Sequence, residues 1–238
     1  FFSTSRRGAE LIKYAANAFL ATKITFINEI ANLCEKSGIN VHDIALGIGS
    51  DTRIGGRFLR PGPAYGGSCF PKDTKGLVSA AEKFKTNLSI VKYVIKSNHD
   101  RVNHLTKRVH KILGNNLKGK RISVLGVTFK ANTDDMRDSS SLIMIPFLSK
   151  KGALIKYYDP TGSKKELEKI KNVSYVDSIK KAVENSDLVI LHTEWNDFKS
   201  INFKSLSKRK KLIIYDMRNI FSPHKIKNQG FKYFSIGR

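Results

Sequence analysis

The sequence predicts an all-helical domain followed by a doubly wound parallel sheet domain, an α plus α/β fold. Two patterns carry that expectation. Up to about residue 113 apolar residues recur at three- and four-residue steps with no β-type run, whereas from about residue 120 short β-type runs alternate with helical stretches. The composition agrees: 238 residues with 40% hydrophobic content can bury two modest cores. The expected units are a helical domain at 1–88, a long connecting helix and linker at 89–117, and a sheet domain at 118–238, with the change of period near Asn115–Gly119.

From Ala9 to Lys36 the chain reads as one long helix. Ile12, Ala15, Phe19, Thr22, Phe26, Ile30 and Leu33 form its main stripe, and Tyr14, Leu20, Ile24 and Ile27 on other faces predict burial on several sides. Gly38 ends this helix in a left-handed cap. A short helix from about Val41 to Ile48 follows, with Asn40 as N-cap and Asp43 in its first turn. Residues 51–73, "DTRIGGRFLRPGPAYGGSCFPKD", hold five glycines and three prolines and read as a long ordered loop, a kind that is usually functional. Helices resume at about Pro71 to Phe84 and Ser89 to Leu113. Beyond the boundary, "KRISVLGV", "ALIKYYD", "VSYV", "DLVILHT" and "KLIIYDM" read as strands, with helices at "SSSLIMIPFLSKKG" and "SIKKAVENS". This alternation implies parallel βαβ units in a Rossmann-like topology.

Composition bounds the function. No apolar run approaches the length of a membrane span, and the start lacks the pattern of a signal peptide. Two cysteines, Cys34 and Cys69, make no disulfide framework, which favours a reducing cytoplasm. A first residue of Phe1 rather than methionine leads us to expect sequence upstream. The net charge of +23 allows nucleic-acid binding, a lysine-rich solvated surface, or a phosphorylated small ligand. Basic residues are spread along the chain without a dense block or regular aromatic interleaving, which disfavours nucleic acid. No metal site is expected.

Cys69, in "AYGGSCFPKD", is the candidate nucleophile. Pro71 suits the first turn of a helix, so Cys69 is expected at a helix N-terminus, with Lys72 close by to lower the thiol pKa. Gly66 and Gly67 would leave room for a substrate against the backbone. The alternative is a small hydrophobe tucked under a loop, which is the reading for Cys34. Lys13 and Asn17, four residues apart on one helix face, could form a structural polar pair or aim two donors at an oxyanion. No G-x-G-x-x-G follows a strand: "GIGSDT" follows a helix, and "LGVTFK" lacks the glycines.

"ELIKYAANAFLATKITFINEIANLCE", "DTRIGGRFLRPGPAYGGSCFPKD", "VLGVTFKANTDDMRDSSS" and "YYDP" together resemble the UDP-glucose/GDP-mannose dehydrogenases, in the right order and over nearly the whole chain. The resemblance covers that family's central helical domain and its nucleotide-sugar domain, and not its NAD-binding domain. The "YGGSCFPKD" form looks most like the members that oxidise UDP-glucose. It implies an NAD-dependent four-electron oxidation to UDP-glucuronate, with Cys69 carrying a thiohemiacetal and then a thioester. Asp73 would activate the hydrolytic water, and Lys13 and Asn17 would stabilise oxyanion character. Phe58, Leu59, Arg60, Tyr65 and Gly66 would wrap the glucose and diphosphate; Phe129, Lys130 and Arg218 would contact the nucleotide sugar. Arg53 would reach the site of a second subunit in a homodimer built through the central helices. Lys72 and Arg137 would meet the cofactor, Arg137 lying just before Ser139–Ser141, whose hydroxyls are expected to cap a helix. Trp195 and Phe198 could border the uracil or serve as core aromatics, and His192 reads as structural. The alternative function is a non-catalytic, dimerising module that binds UDP-sugars.

Overall fold

The computed structural model describes residues 2–209 and 211–238. Its helical part comprises α1 (Arg6–Ser37), α2 (Val41–Gly49), α3 (Phe70–Lys83) and α4 (Ser89–Ile112). α1 begins three residues earlier than expected because the Ser5 hydroxyl accepts the Gly8 amide at 3.1 Å, a complete N-cap. It ends as expected at Gly38, φ +71°, whose amide reaches the Cys34 carbonyl. Asn40 caps α2 by accepting the His42 amide at 3.1 Å.

The stripe read as the buried face of α1 lies largely outside. Ile12, Phe19, Phe26 and Leu33 are 50%, 66%, 50% and 62% exposed, while the buried face carries Ala18, Ala21, Ile27, Asn28, Ala31 and Cys34. Small residues won the interior because α3 and α4 pack there with their backbones close to α1. The expectation of burial on several sides is therefore wrong for this chain by itself.

The second part runs β1 (Arg121–Leu125), α5 (Ser141–Lys150), β2 (Leu154–Tyr158), α6 (Lys165–Glu168), β3 (Val173–Tyr175), α7 (Ile179–Val183), β4 (Leu188–Leu191), α8 (Asn196–Lys199), α9 (Phe203–Leu206), β5 (Ile213–Asp216), α10 (Pro223–Lys227) and β6 (Lys232–Ser235). All six strands pair in parallel in the order β3-β2-β1-β4-β5-β6. This is the doubly wound topology expected, with one strand more: β6 is four residues long and carries no apolar run strong enough to announce itself. The order reverses between β1 and β4, and ligands of such sheets bind in the crevice at the carboxyl ends of those strands.

The two parts share a core. Ile27, Ala31, Cys34 and Val41 belong to the same apolar cluster as Ile122, Ile155, Leu188 and Tyr215 of the sheet. The opposite sheet face packs on Leu191, Phe198, Phe203 and their neighbours. The C-terminal segment also crosses the junction: Gly237 accepts the Val41 amide at 2.8 Å and donates its own to Glu35 at 2.9 Å.

Ser139, Ser140 and Ser141 do not cap α5 as expected. Ser139 and Ser141 donate to the Val127 carbonyl, at 2.7 and 2.5 Å, and Ser140 pairs with His192 Nε2 at 2.7 Å. The hydroxyls thus bind the start of α5 to the ends of β1 and β4, a long-range use that local spacing does not reveal.

Candidate active site

Cys69 occupies the N-cap position of α3, with Pro71 in the first turn and the Asp73 amide donating to its carbonyl at 2.8 Å. The thiol is free and exposed, whereas Cys34 is buried and burial pushes its thiol pKa up. The two glycines before Cys69 serve packing more than substrate access. A Cβ on Gly66 would lie 2.3 Å from the Asp138 carbonyl oxygen, and one on Gly67, φ +80°, would lie 2.7 Å from the Phe129 ring. The Gly67 amide donates to the Arg137 carbonyl at 2.8 Å. The loop bearing the thiol is therefore pressed against the turn that follows β1.

Asp73 points inward, its side chain fully buried, and accepts Asn17 Nδ2 at 2.6 Å and the Lys72 ammonium. Burial opposes ionisation of this carboxyl, but the hydrogen bonds from Lys72 and Asn17, with the charges of Lys72 and Lys13, outweigh it and hold the pKa below the usual range. Cys69, Lys72, Asp73, Asn17 and Lys13 are thus brought to one place. Lys13 itself is exposed. Lys72 lies 5.6 Å over the Tyr14 ring, and Arg137 forks onto Asp135 at 2.8 Å. Lys72 and Arg137 both lie close enough for a negative charge on the Cys69 sulfur to favour their cationic forms, so these two cations border the thiol.

A cavity of about 470 Å³ opens between the helical part and the carboxyl ends of β1, β4 and β5, and Cys69 is not among its lining residues. Gly66 and Phe70, on either side of Cys69 in sequence, line it. Arg57, Arg60, Lys130 and Arg218 make it cationic; Phe58, Tyr65 and Phe129 give it aromatic walls. Two expected members are elsewhere. Leu59 is turned into the core at 3% exposure. Arg53 lies outside, its side chain 88% exposed and paired with Asp51 at 2.6 Å.

Arg218 is not the free surface cation that a strand-end arginine suggests. Its Nε donates to the His192 carbonyl at 2.9 Å, its Nη2 to the Phe129 carbonyl at 3.0 Å, and Glu194 pairs with it at 3.0 Å. It fastens together the ends of β1, β4 and β5, and burial lowers its pKa. Glu194 and Arg57 line the cavity and escaped the sequence reading. Glu194 follows the β-type run "DLVILHT", so the strand-end rule that singled out Lys130 and Arg218 would also have found it. Phe198 is fully buried and Trp195 packs against the same core; neither lines the cavity, so both serve as core aromatics. His192 is structural, its pKa pulled down to about 3 by burial and by the neighbouring Arg218 charge.

Residues 7–100 match the central domain of the UDP-glucose/GDP-mannose dehydrogenase family, and residues 123–223 match that family's UDP binding domain. The chain belongs to this family. Along 99% of its length it is 46% identical to a UDP-glucose 6-dehydrogenase of Rhizobium meliloti, covering 54% of that protein. Among solved structures, a UDP-glucose dehydrogenase from Pyrobaculum islandicum superposes with a TM-score of 0.85 at 30% identity, over 97% of this chain and 51% of the other. An NDP-N-acetyl-D-galactosaminuronic acid dehydrogenase from Methanosarcina mazei does so with 0.86 at 29% identity, over 98% and 51%. The chain therefore spans about half the length of these relatives. The cavity lies at the junction of the two matched domains, and its strand-end cations come from the UDP binding domain. No helix among the described residues is long and apolar enough to cross a membrane, and no three His, Cys, Asp or Glu side chains among them cluster to hold a metal ion.

Proposed function

We propose that this chain is the substrate-holding, thiol-bearing part of a UDP-glucose 6-dehydrogenase that oxidises UDP-glucose to UDP-glucuronate with NAD⁺. The observation that carries the reading is a cavity lined by four cationic side chains whose wall includes Gly66 and Phe70, the residues flanking the exposed Cys69 in sequence. A diphosphate needs such donors, and the aromatic walls suit a base or sugar face. Free cysteines agree with a reducing cytoplasm.

In this reading the Cys69 sulfur attacks the C6 aldehyde, forming a C–S bond while the carbonyl electron pair moves onto oxygen. The Asn17 amide and Lys13 ammonium steady that oxygen, and protonation gives the thiohemiacetal. Loss of a hydride from C6 and a proton from oxygen leaves a thioester on Cys69. Asp73, held ionised by Lys72 and Asn17, takes a proton from water as it attacks; the C–S bond breaks and the thiolate departs from the acid product. NAD⁺, when bound, is the acceptor of the hydrides. The turn after β1 does not fit its pyrophosphate, because Thr193 and Phe198 fill the space around the single glycine, Gly126. Lys72 and Arg137 are the side chains this chain offers to the cofactor.

Alkylation of Cys69 tests the proposal. The exposed Cys69 should react with iodoacetamide about 100-fold faster than buried Cys34. UDP-glucose should slow that reaction with a midpoint equal to its calorimetric Kd, and UDP-N-acetyl sugars should do so less well. Equal rates for both thiols, or no protection by any UDP-sugar, would overturn the reading.

We also propose that the chain forms a homodimer through α1, supported by the exposed stripe Ile12, Phe19, Phe26 and Leu33. Arg53, outside its own cavity, would then serve the neighbouring one.

A further inference from the structure

The loop from Phe58 to Tyr65 forms one wall of the cavity, yet it belongs to neither a helix nor a strand. Pro61 and Pro63 fix its φ angles and bias the residues before them toward extended, polyproline-like backbone. Such a segment makes no hydrogen bonds of its own and repeats every three residues. Its buried amide and carbonyl groups therefore need partners from outside the loop.

Those partners meet the loop at two positions three residues apart, Gly62 and Tyr65. Leu59 anchors the start with a side chain in the core. At Gly62 the amide donates to Asn28 Oδ1 at 2.8 Å, and the carbonyl accepts Arg101 Nε at 3.2 Å. At Tyr65 the amide donates to Asn98 Oδ1 at 2.9 Å, and the carbonyl accepts Asn98 Nδ2 at 3.0 Å. Arg101 also donates to the Asn28 carbonyl at 3.2 Å and to Asn32 Oδ1, which joins the two supports. Asn98 and Arg101 are three residues apart on α4 and so share a face. None of Asn28, Asn98 and Arg101 lines the cavity.

We propose that Asn98 and Arg101, with Asn28, are positioning residues for the nucleotide-sugar pocket. They hold Gly62 and Tyr65, while Leu59 is seated by its own side chain in the core, so that Arg60, between two anchors, faces the ligand and Gly62 meets Arg218 from the opposite wall. The close approach at that seam is measurable: a Cβ on Gly62 would lie 3.2 Å from Arg218 Nη1. Affinity for the ligand then depends on side chains that never touch it. The inference rests on the reading of the cavity as a UDP-sugar site, but the shape of the loop can be followed without ligand.

The test compares Asn98→Ala, Asn98→Asp and Val109→Ala in the 238-residue chain. Val109 is a buried α4 residue of the main core, eight residues beyond Arg101 and without a hydrogen bond to the loop, and its truncation controls for lost stability. Two quantities are read: hydrogen exchange of the Gly62 and Tyr65 amides in the ligand-free protein, and calorimetric Kd for UDP. Asn98→Ala should speed Tyr65 amide exchange and weaken UDP binding by about tenfold each, with Val109→Ala leaving both near wild type at a similar loss of Tm. Asn98→Asp keeps the acceptor for the Tyr65 amide but loses the donor to its carbonyl. Its UDP affinity relative to wild type should recover as pH falls through the pKa of the introduced carboxyl, because a neutral acid again donates and accepts. Tyr65 exchange in Asn98→Ala no faster than in Val109→Ala overturns the inference. Failure of the wild-type chain to bind UDP counts against the function proposed above, while the exchange measurement still decides the role of Asn98.

Discussion

His192 illustrates how single residues set the pH response of this chain. It is 1% exposed, its Nε2 is held by Ser140, and the neighbouring Arg218 adds to the penalty on its charged form. With a folded pKa near 3 against an unfolded value of 6.5, the imidazole is neutral in the native protein and must take up a proton only on unfolding. Its contribution to stability is complete above about pH 6.5 and declines as the pH falls toward 3. At pH 5 the loss from this group alone is about 2 kcal/mol. His192→Gln keeps an amide nitrogen near the Nε2 position and does not titrate. Denaturant melts should show the wild type losing stability between pH 7 and 5, and the variant losing about 2 kcal/mol less over that window. Parallel losses would mean that His192 is solvated or partnered in a way its burial denies. Asp73 works in the same direction at lower pH: its depressed pKa means that its contribution is present above the ordinary carboxyl range and fades as pH falls through the folded value.

At the scale of elements, the sequence was legible where chemistry is local and opaque where partners are distant. Asn40 and Gly38 mark helix ends through atoms within a few residues, and both were read correctly. Cys69 at the head of α3 followed from Pro71 in the same way. The serine cluster misleads because its acceptor is Val127, more than ten residues back, and β6 is hidden because it lacks the run of β-branched residues that marks the equally short β4 and β5. Gly66 and Gly67 were rightly singled out, but their cause is the packing of the thiol loop on Asp138 and Phe129. That cause predicts an order of stabilities. Gly66→Ala drives a methyl into a backbone carbonyl that cannot yield, whereas Gly67→Ala meets a ring that can turn but adds strain at positive φ. Gly47, within α2 and with nothing within 4 Å of its added Cβ, should gain from the same change. Thermal melts should rank Gly47→Ala above wild type by about 0.5–1 kcal/mol, then Gly67→Ala, then Gly66→Ala, the last two losing about 1–3 kcal/mol or more. Gly66→Ala as stable as wild type would mean that the loop is not seated on the sheet.

For the whole molecule, the outward stripe of α1 is the feature that demands a partner. Ile12, Phe19, Phe26 and Leu33 are seven residues apart in turn, the spacing of a helix seam, and together they run roughly 30 Å along the axis. Each is half or more exposed, and Ile90 and Tyr93 on α4, 70% and 72% exposed, add to the apolar surface. A monomer in water seldom keeps so much contiguous apolar surface. Covering the four α1 side chains on each of two copies, at about 1 kcal/mol apiece for the half removed from water, gives on the order of 8 kcal/mol before the cost of association. That suffices for a dimer only if flanking contacts contribute too, so the assembly should be sensitive to charge on the seam. Light scattering at about 20 μM should report a dimer for the wild type and a monomer for Phe19→Glu/Phe26→Glu. Because these side chains already face solvent, the variant should retain the far-ultraviolet dichroism of the wild type. Arg53 then separates trans from cis action. Its side chain does not line its own cavity and is held by Asp51, so Arg53→Ala should weaken UDP-glucose binding in the dimer and leave the affinity of the Phe19→Glu/Phe26→Glu monomer unchanged. A wild type that remains monomeric, or an Arg53→Ala effect of equal size in both backgrounds, would remove the second subunit from the site.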